Sequence, residues 1–334
     1  MAPYLSVALL VLLQPGAQPL IDFTKERLAF RQSVTALFES GHVDALEEQA
    51  RELRVKRPRF SSGTPILFDF YEAFNPASAH IPQPAKESYA SRVLLWAESK
   101  PKSLLATMAA IKVTTYRAWK ARGRGYANTV TDEGWKEFEL QEGKAWSLAQ
   151  SADQLGAVDP ALYNEMLNLC TNLNKPRRDL DAVFGKLVAI DPAFDQAYVA
   201  VAHYLLPRWH GSARELHDFA LRVTEESRHT TGSAAYARVA IVVALVEHSK
   251  IVTEYPFDYQ RLKKAFQELD NRYPNSGRTI NFFAWFAFTY GDLDTARPLM
   301  DRIAREWTTD GDEVWGGRAQ FERARASASS PAVR

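Results

Sequence analysis

Apolar positions along this chain fall at helical spacing, and the same spacing returns several times. After Gly291, the apolar residues Leu293, Ala296, Met300 and Ile303 stand at offsets of 2, 5, 9 and 12. Gly41 is followed at the same offsets by Val43, Leu46, Ala50 and Leu53, and Gly211 by Ala213, Leu216, Ala220 and Val223. A fourth copy begins at Arg178, with Leu180, Val183, Leu187 and Ile190. A weaker fifth begins near Gln260, with Leu262, Ala265 and Leu269. Steps of three, four and three residues put each set on one stripe of an α-helix. A more uniformly apolar segment precedes most copies, at residues 161–173, 193–206, 233–248 and 279–290. Alternating runs of β-branched residues bounded by Asn-Gly or Asp-Gly are nearly absent, so the pattern predicts few strands or none.

Each glycine suits a tight turn between two helices, and an aspartate beside it suits the cap of the second. Pro160 and Pro192, each after an aspartate, suit the first turn of the helix before the turn. The step from Arg178 to Gly211 is 33 residues, and that from Gln260 to Gly291 is 31. Helix–turn–helix units of about 34 residues are the tetratricopeptide period. The expected fold is therefore all-α, a tetratricopeptide-like α-solenoid of antiparallel helix hairpins, each burying its stripe against its neighbours.

Several stretches break the rhythm. Residues 20–58 read as a first hairpin and 59–88 as an irregular proline-rich segment. Within that segment a short helix is expected at 66–74, followed by an exposed loop. Residues 89–230 carry two unusual turns, 231–322 return to tetratricopeptide-like helices, and 323–334 read as a small, polar, disordered tail. The first unusual turn lies in YRAWKARGRGYANTVTDEGWKEF, residues 116–138. Thr131 reads there as a helix N-cap, with Asp132 and Glu133 in the first turn. Trp119, Arg122, Tyr126 and Trp135 gather around the loop. The second is LPRWHGS, residues 206–212, where Arg208, Trp209 and His210 crowd the turn inside a repeat. These seven residues are the candidate binding residues. A guanidinium beside an indole can stack on it and still offer a fork to a carboxylate. The competing role is an internal tie to helix C-terminal carbonyls.

These two turns resemble a bacterial domain-of-unknown-function family numbered 4034. The likeness rests on Trp119, Arg122, Gly123, Ala127, Thr129, Gly134 and Trp135, and on Pro207, Arg208, Trp209, Gly211 and Ser212. It covers residues 30–228. The resemblance implies a bacterial protein with tetratricopeptide-like helices and carries no activity with it. Beyond residue 233 the chain is similar to ordinary tetratricopeptide helices.

Charge narrows the function further. Among 334 residues, 41 Lys and Arg stand against 40 Asp and Glu, which leaves no overall field to attract nucleic acid or an anionic membrane. The single cysteine, Cys170, excludes an intramolecular disulfide and a cysteine zinc cluster, and its apolar setting reads as core. His203, His210 and His217 are seven apart, but Pro207 and Gly211 interrupt any shared helix, so no metal site is expected. No catalytic or nucleotide-binding motif is present, and no cofactor is expected. Phe282, Phe283, Trp285, Phe286 and Phe288 suit core packing, or a peptide groove if they are exposed.

The apolar run at 5–13, LSVALLVLL, is too short to span a bilayer. It fits a secretory signal over residues 1–17, with Gly16 and Ala17 near the cut, and points to an exported protein. The alternative is a first helix buried in the fold of a cytoplasmic protein. Two functions follow from the whole pattern. One is a non-enzymatic scaffold that binds a protein or peptide in a concave groove. The other is an enzyme or small-ligand protein with a closed pocket where Arg122 and Arg208 meet Glu133 or His210.

Overall fold

The computed structural model describes residues 18–78, 80–123 and 125–329. The expected signal, residues 1–17, lies outside the described residues. All regular structure among those described is helical, with two isolated backbone bridges and no strand. The chain opens with α1 (Phe23–Glu39), α2 (Val43–Lys56) and α3 (Ile66–Glu72), then α4 (Lys86–Ser99), α5 (Leu104–Arg122) and α6 (Asp132–Gln154). The middle holds α7 (Pro160–Asn172), α8 (Arg177–Ile190), α9 (Gln196–Tyr204), α10 (Ala213–Glu226) and α11 (Ala234–Glu247). It closes with α12 (Lys250–Thr253), α13 (Tyr259–Arg272), α14 (Gly277–Thr289), α15 (Leu293–Arg305), α16 (Asp310–Trp315) and α17 (Arg318–Ser329). No helix is long and apolar enough to cross a membrane among the described residues.

The repeated stripes point inward. Leu46, Ala50 and Leu53 of α2 are buried, as are Leu180, Val183 and Leu187 of α8 and Leu216, Ala220 and Val223 of α10. The same holds for Leu262, Ala265 and Leu269 of α13, and for Ala296, Met300 and Ile303 of α15. Of the helices before them, α7, α11 and α14 are buried nearly all round, whereas α1 buries only Phe23, Val34, Thr35 and Phe38. Every residue from Ala234 to Ala244 of α11 is buried, and Phe282, Phe283 and Phe286 of α14 belong to the core. One apolar core runs from Val34 to Phe286 without a break at residue 231, and a smaller one gathers Ile280, Met300, Trp315 and Phe321.

Local chemistry sets the helix ends. Asp159 accepts from Ala161 N at 2.8 Å with Pro160 in the first turn of α7, Thr131 caps α6 through Gly134 N, and Asp292 caps α15 through Thr295 N. Helix α9 departs from expectation and starts at Gln196 rather than near Pro192. The Asp191 side chain accepts from Ala193 N at 3.0 Å and holds a turn there, with Phe194 buried beneath it. Gly41 and Gly291 adopt positive φ at their turns, 78° and 80°. Gly211 does not. A Cβ there would lie 2.5 Å from Leu205 O and 2.8 Å from Leu205 Cα, so close backbone approach fixes the residue. Gly211→Ala should therefore cost about 1–3 kcal/mol of stability, read as a lower urea midpoint at unchanged slope. Gly143→Ala, inside α6 and facing open space, should be neutral or slightly stabilising.

The irregular segment is not a loop laid outside the helices. Ser62, Gly63 and Thr64 are buried. Arg59 lies between Asp191 and Asp195 at 3.9 and 3.7 Å, and Arg238 of α11 donates to Ser62 O. The stretch expected as an exposed loop after Phe74 is also partly interior, with Ser78 and Ile81 buried. Apolar and hydroxyl side chains among the prolines give it faces to bury.

The two ends of the described chain meet. Ile21 and Ser276 form a backbone bridge. Asp310 accepts from Phe23 N and Thr24 N, each at 3.0 Å, and so caps α1, while Asp22 accepts from Thr309 N at 2.9 Å beside the start of α16. The tail corrects the sequence expectation. Residues 323–329 are helical, because Phe321 and Ala328 bury against α15 and Arg297 donates to Ala328 O at 2.8 Å.

Candidate functional site

The tryptophan–arginine turn after α5 folds onto itself. The Arg122 guanidinium stacks between Trp119 and Trp135, at 5.2 and 5.1 Å from their ring centroids. It donates to Gly123 O and Gly125 O, each at 3.2 Å, satisfying carbonyls just past the helix end. Tyr126 stands mostly in solvent. In the second turn, Arg208 forks onto one oxygen of Glu247 at 3.0 and 2.7 Å. Trp209 packs on His203, and His210 stacks on Tyr204 with centroids 4.4 Å apart. Arg122 and Arg208 thus have separate partners, and Glu133 joins neither among the described residues. The three histidines diverge as well, since His217 packs on Tyr236 and Phe257. No cluster able to hold a metal occurs among the described residues.

The two turns nevertheless flank one cavity. Its volume is about 280 Å³, with Trp119 on its wall toward the first turn and His203, which carries Trp209, toward the second. The rest of the lining is polar: Glu72 and Asn75 near α3, Lys112 and Thr115 of α5, and Glu165, Asn168, Thr171 and Asn172 of α7. A wider basin of about 800 Å³ adjoins it across Asn75, Thr115 and Trp119, which line both. The outer basin is basic, with Lys86, Lys120 and Arg122.

Lys112 organises the inner cavity. It lies buried in an apolar helix and donates to both Glu72 and Glu165 (Glu165 Oε1 at 2.5 Å). Burial alone would push Glu72 up, but the charges of Lys112 and Arg31 outweigh it and hold the carboxyl at about 2. Burial would lower Lys112, and the two glutamates overcome that and raise it. Burial, then the nearby Glu72 charge, raises Glu165 against the pull of Lys112. Glu142 of α6 is fully buried and accepts from Asn172 at 3.1 Å. Burial pushes it up to about 7, and the charge of Glu165 adds to the rise. Burial and the Arg208 charge lower His203, which keeps it neutral near pH 7.

The site is also short of partners. The hydroxyls of Thr115 and Thr171 on its lining, and Glu142 Oε2 behind Asn172, are buried with no hydrogen-bond partner among the described residues. An all-α core rarely leaves several such atoms around one void. Acids exceed bases in the inner cavity and bases exceed acids in the outer basin, so the pair is polarised from inside to outside.

Sequence reasoning found the flanks of this cavity and missed its floor. The missed signal was Lys112, a lone charge in the apolar run 104–113, together with Glu165 in the apolar run of α7. A buried charge needs an equally buried partner, and those partners are far away in sequence. No family model matches the chain, and no curated protein matches it either.

Proposed function

We propose that this chain is a non-enzymatic helical-repeat binding protein, and that its ligand is a small zwitterion, ammonium end inward. The hairpins would stack as a tetratricopeptide-like solenoid whose inner side is filled by the chain's own segment 59–65. That filling argues against a peptide lying along a concave groove, and favours the reading of a closed pocket beside the Arg122 and Arg208 motifs. The observation that carries the reading is the polarised pair of cavities, acidic around Glu72 and Glu165, with Glu142 behind the lining on Asn172, and basic around Lys86, Lys120 and Arg122. Unmet acceptor atoms within would take N–H donors, and Trp119 between the two halves supplies a ring face for a cation.

Isothermal titration calorimetry with γ-aminobutyrate, propylammonium and propionate tests it. The zwitterion should bind best, propylammonium less well, and propionate least. Glycylglycine separates a free amino compound from the end of a peptide. Glu142 stands behind the lining on Asn172 and adds negative charge there when ionised, so affinity should rise from roughly pH 6 to pH 8, as a group titrating near 7 loses its proton. Burial and the Arg208 charge hold His203 below its ordinary value, and Glu142→Gln should remove the rise in affinity. Absence of binding by every amine would refute the reading.

A further inference from the structure

A second cavity of about 240 Å³ lies between α1, α3, α9, α11 and α14. One part of its wall is apolar: Phe68, Val199, Ile241, Val242 and Leu245. The other carries Arg27, Arg238 and Arg278, and no acid lines the void. From these residues we infer a binding site for a small organic anion with an apolar tail, its head on the arginines and its tail along α9 and α11. It shares no lining residue with the zwitterion cavity, and the two meet where Lys112 of the one lies over the Phe68 ring of the other, 5.5 Å from its centroid.

The arginines are held in place yet keep donors to spare. Arg27 and Arg278 both stack on Phe23, at 5.1 and 5.6 Å from its centroid. Arg27 uses Nε on Asp69 at 3.0 Å, and Arg278 uses Nη1 on Glu313. Arg238 is buried, donates through Nη2 to Ser62 O, and has Nε 2.8 Å from Asp195 Oδ2 without hydrogen-bond alignment. Each guanidinium carries five N–H donors, so several remain for an oxyanion after these bonds are made. Asp69 also takes Arg31, which leaves Arg27 only partly neutralised. A guanidinium fork matches a carboxylate or phosphate in shape as well as charge. At roughly 30 Å³ per water-sized group, the void holds about eight non-hydrogen atoms, which is the size of hexanoate.

Calorimetry of the whole chain with hexanoate tests the site, with hexylammonium and hexanol as the charge-reversed and neutral probes. Hexanoate should bind with one-to-one stoichiometry and a Kd in the millimolar range or tighter. The other two should bind at least about tenfold more weakly. Arg27→Met should weaken hexanoate by about tenfold or more while leaving the fold intact, because Arg31 still pairs Asp69. Val199→Phe, which fills the apolar half, should do the same without touching a charge. Glu142→Gln should leave hexanoate binding unchanged, so failure of the zwitterion reading does not carry over. The inference is overturned by no binding at concentrations on the order of 10 mM, by equal binding of hexanol, or by unchanged affinity in Arg27→Met.

Discussion

Lys112→Met should cost about 3–5 kcal/mol of folding stability. The methionine fills nearly the same volume, so little of the loss is packing. What remains is two carboxylates, Glu72 and Glu165, buried without the cation both of them accept from. In the native chain Glu72 sits low, at about 2. Its contribution is full above the unfolded value of 4.5 and fades as pH falls through the folded one. In the variant Arg31 still lowers Glu72, whereas Glu165 loses the one cation that lowers it. Burial and the Glu72 charge then raise Glu165 unopposed by Lys112, that carboxyl binds its proton more readily folded than unfolded, and its share of stability rises as pH falls. Urea unfolding near neutrality and near pH 5 should show this change. The triple variant Lys112→Met, Glu72→Gln, Glu165→Gln should recover much of the loss, since replacing a whole buried ion cluster is often close to neutral. A triple variant as unstable as the single one would mean that Lys112 matters through packing, not charge.

Asp310→Ala should cost about 2–4 kcal/mol, a large effect for one residue at the start of a six-residue helix. The carboxylate accepts from Phe23 N, Thr24 N and Thr24 Oγ1, the last at 2.8 Å, and all three donors belong to the other end of the chain. Removing it leaves the Asp22 cap on Lys25 N in place but unpairs the first two N–H groups of α1, that of buried Phe23 among them. Burial, with the neighbouring Asp22 charge, raises Asp310, so the native carboxylate is held at some cost and Asp310→Asn should be milder than alanine. Hydrogen exchange should show protection lost first at Phe23 and Thr24.

Much of this architecture was legible in the chain, because stripe residues such as Leu46, Leu180, Leu216 and Met300 obey a local rule of helical spacing. Thr131 and Asp159 were legible as caps for the same reason. The binding region was half legible. Trp119, Arg122, Arg208 and Trp209 stood out by composition, yet their own hydrogen bonds stay within the turns or reach Glu247, and what they frame is a cavity floored by Lys112 and Glu165. Pairing across 53 residues leaves no periodic trace. The same is true of segment 59–65 and of Asp310, whose partners were set by tertiary packing alone. Helix persisted past residue 323 for a similar reason, since Phe321 finds a distant surface.

The joining of Asp22 and Asp310 to opposite termini bears on how the molecule comes apart. A linear row of repeats can unzip from either end, losing one unit at a time. Here the outermost helices secure each other, so neither end is free to fray first, and melting should be a single cooperative event.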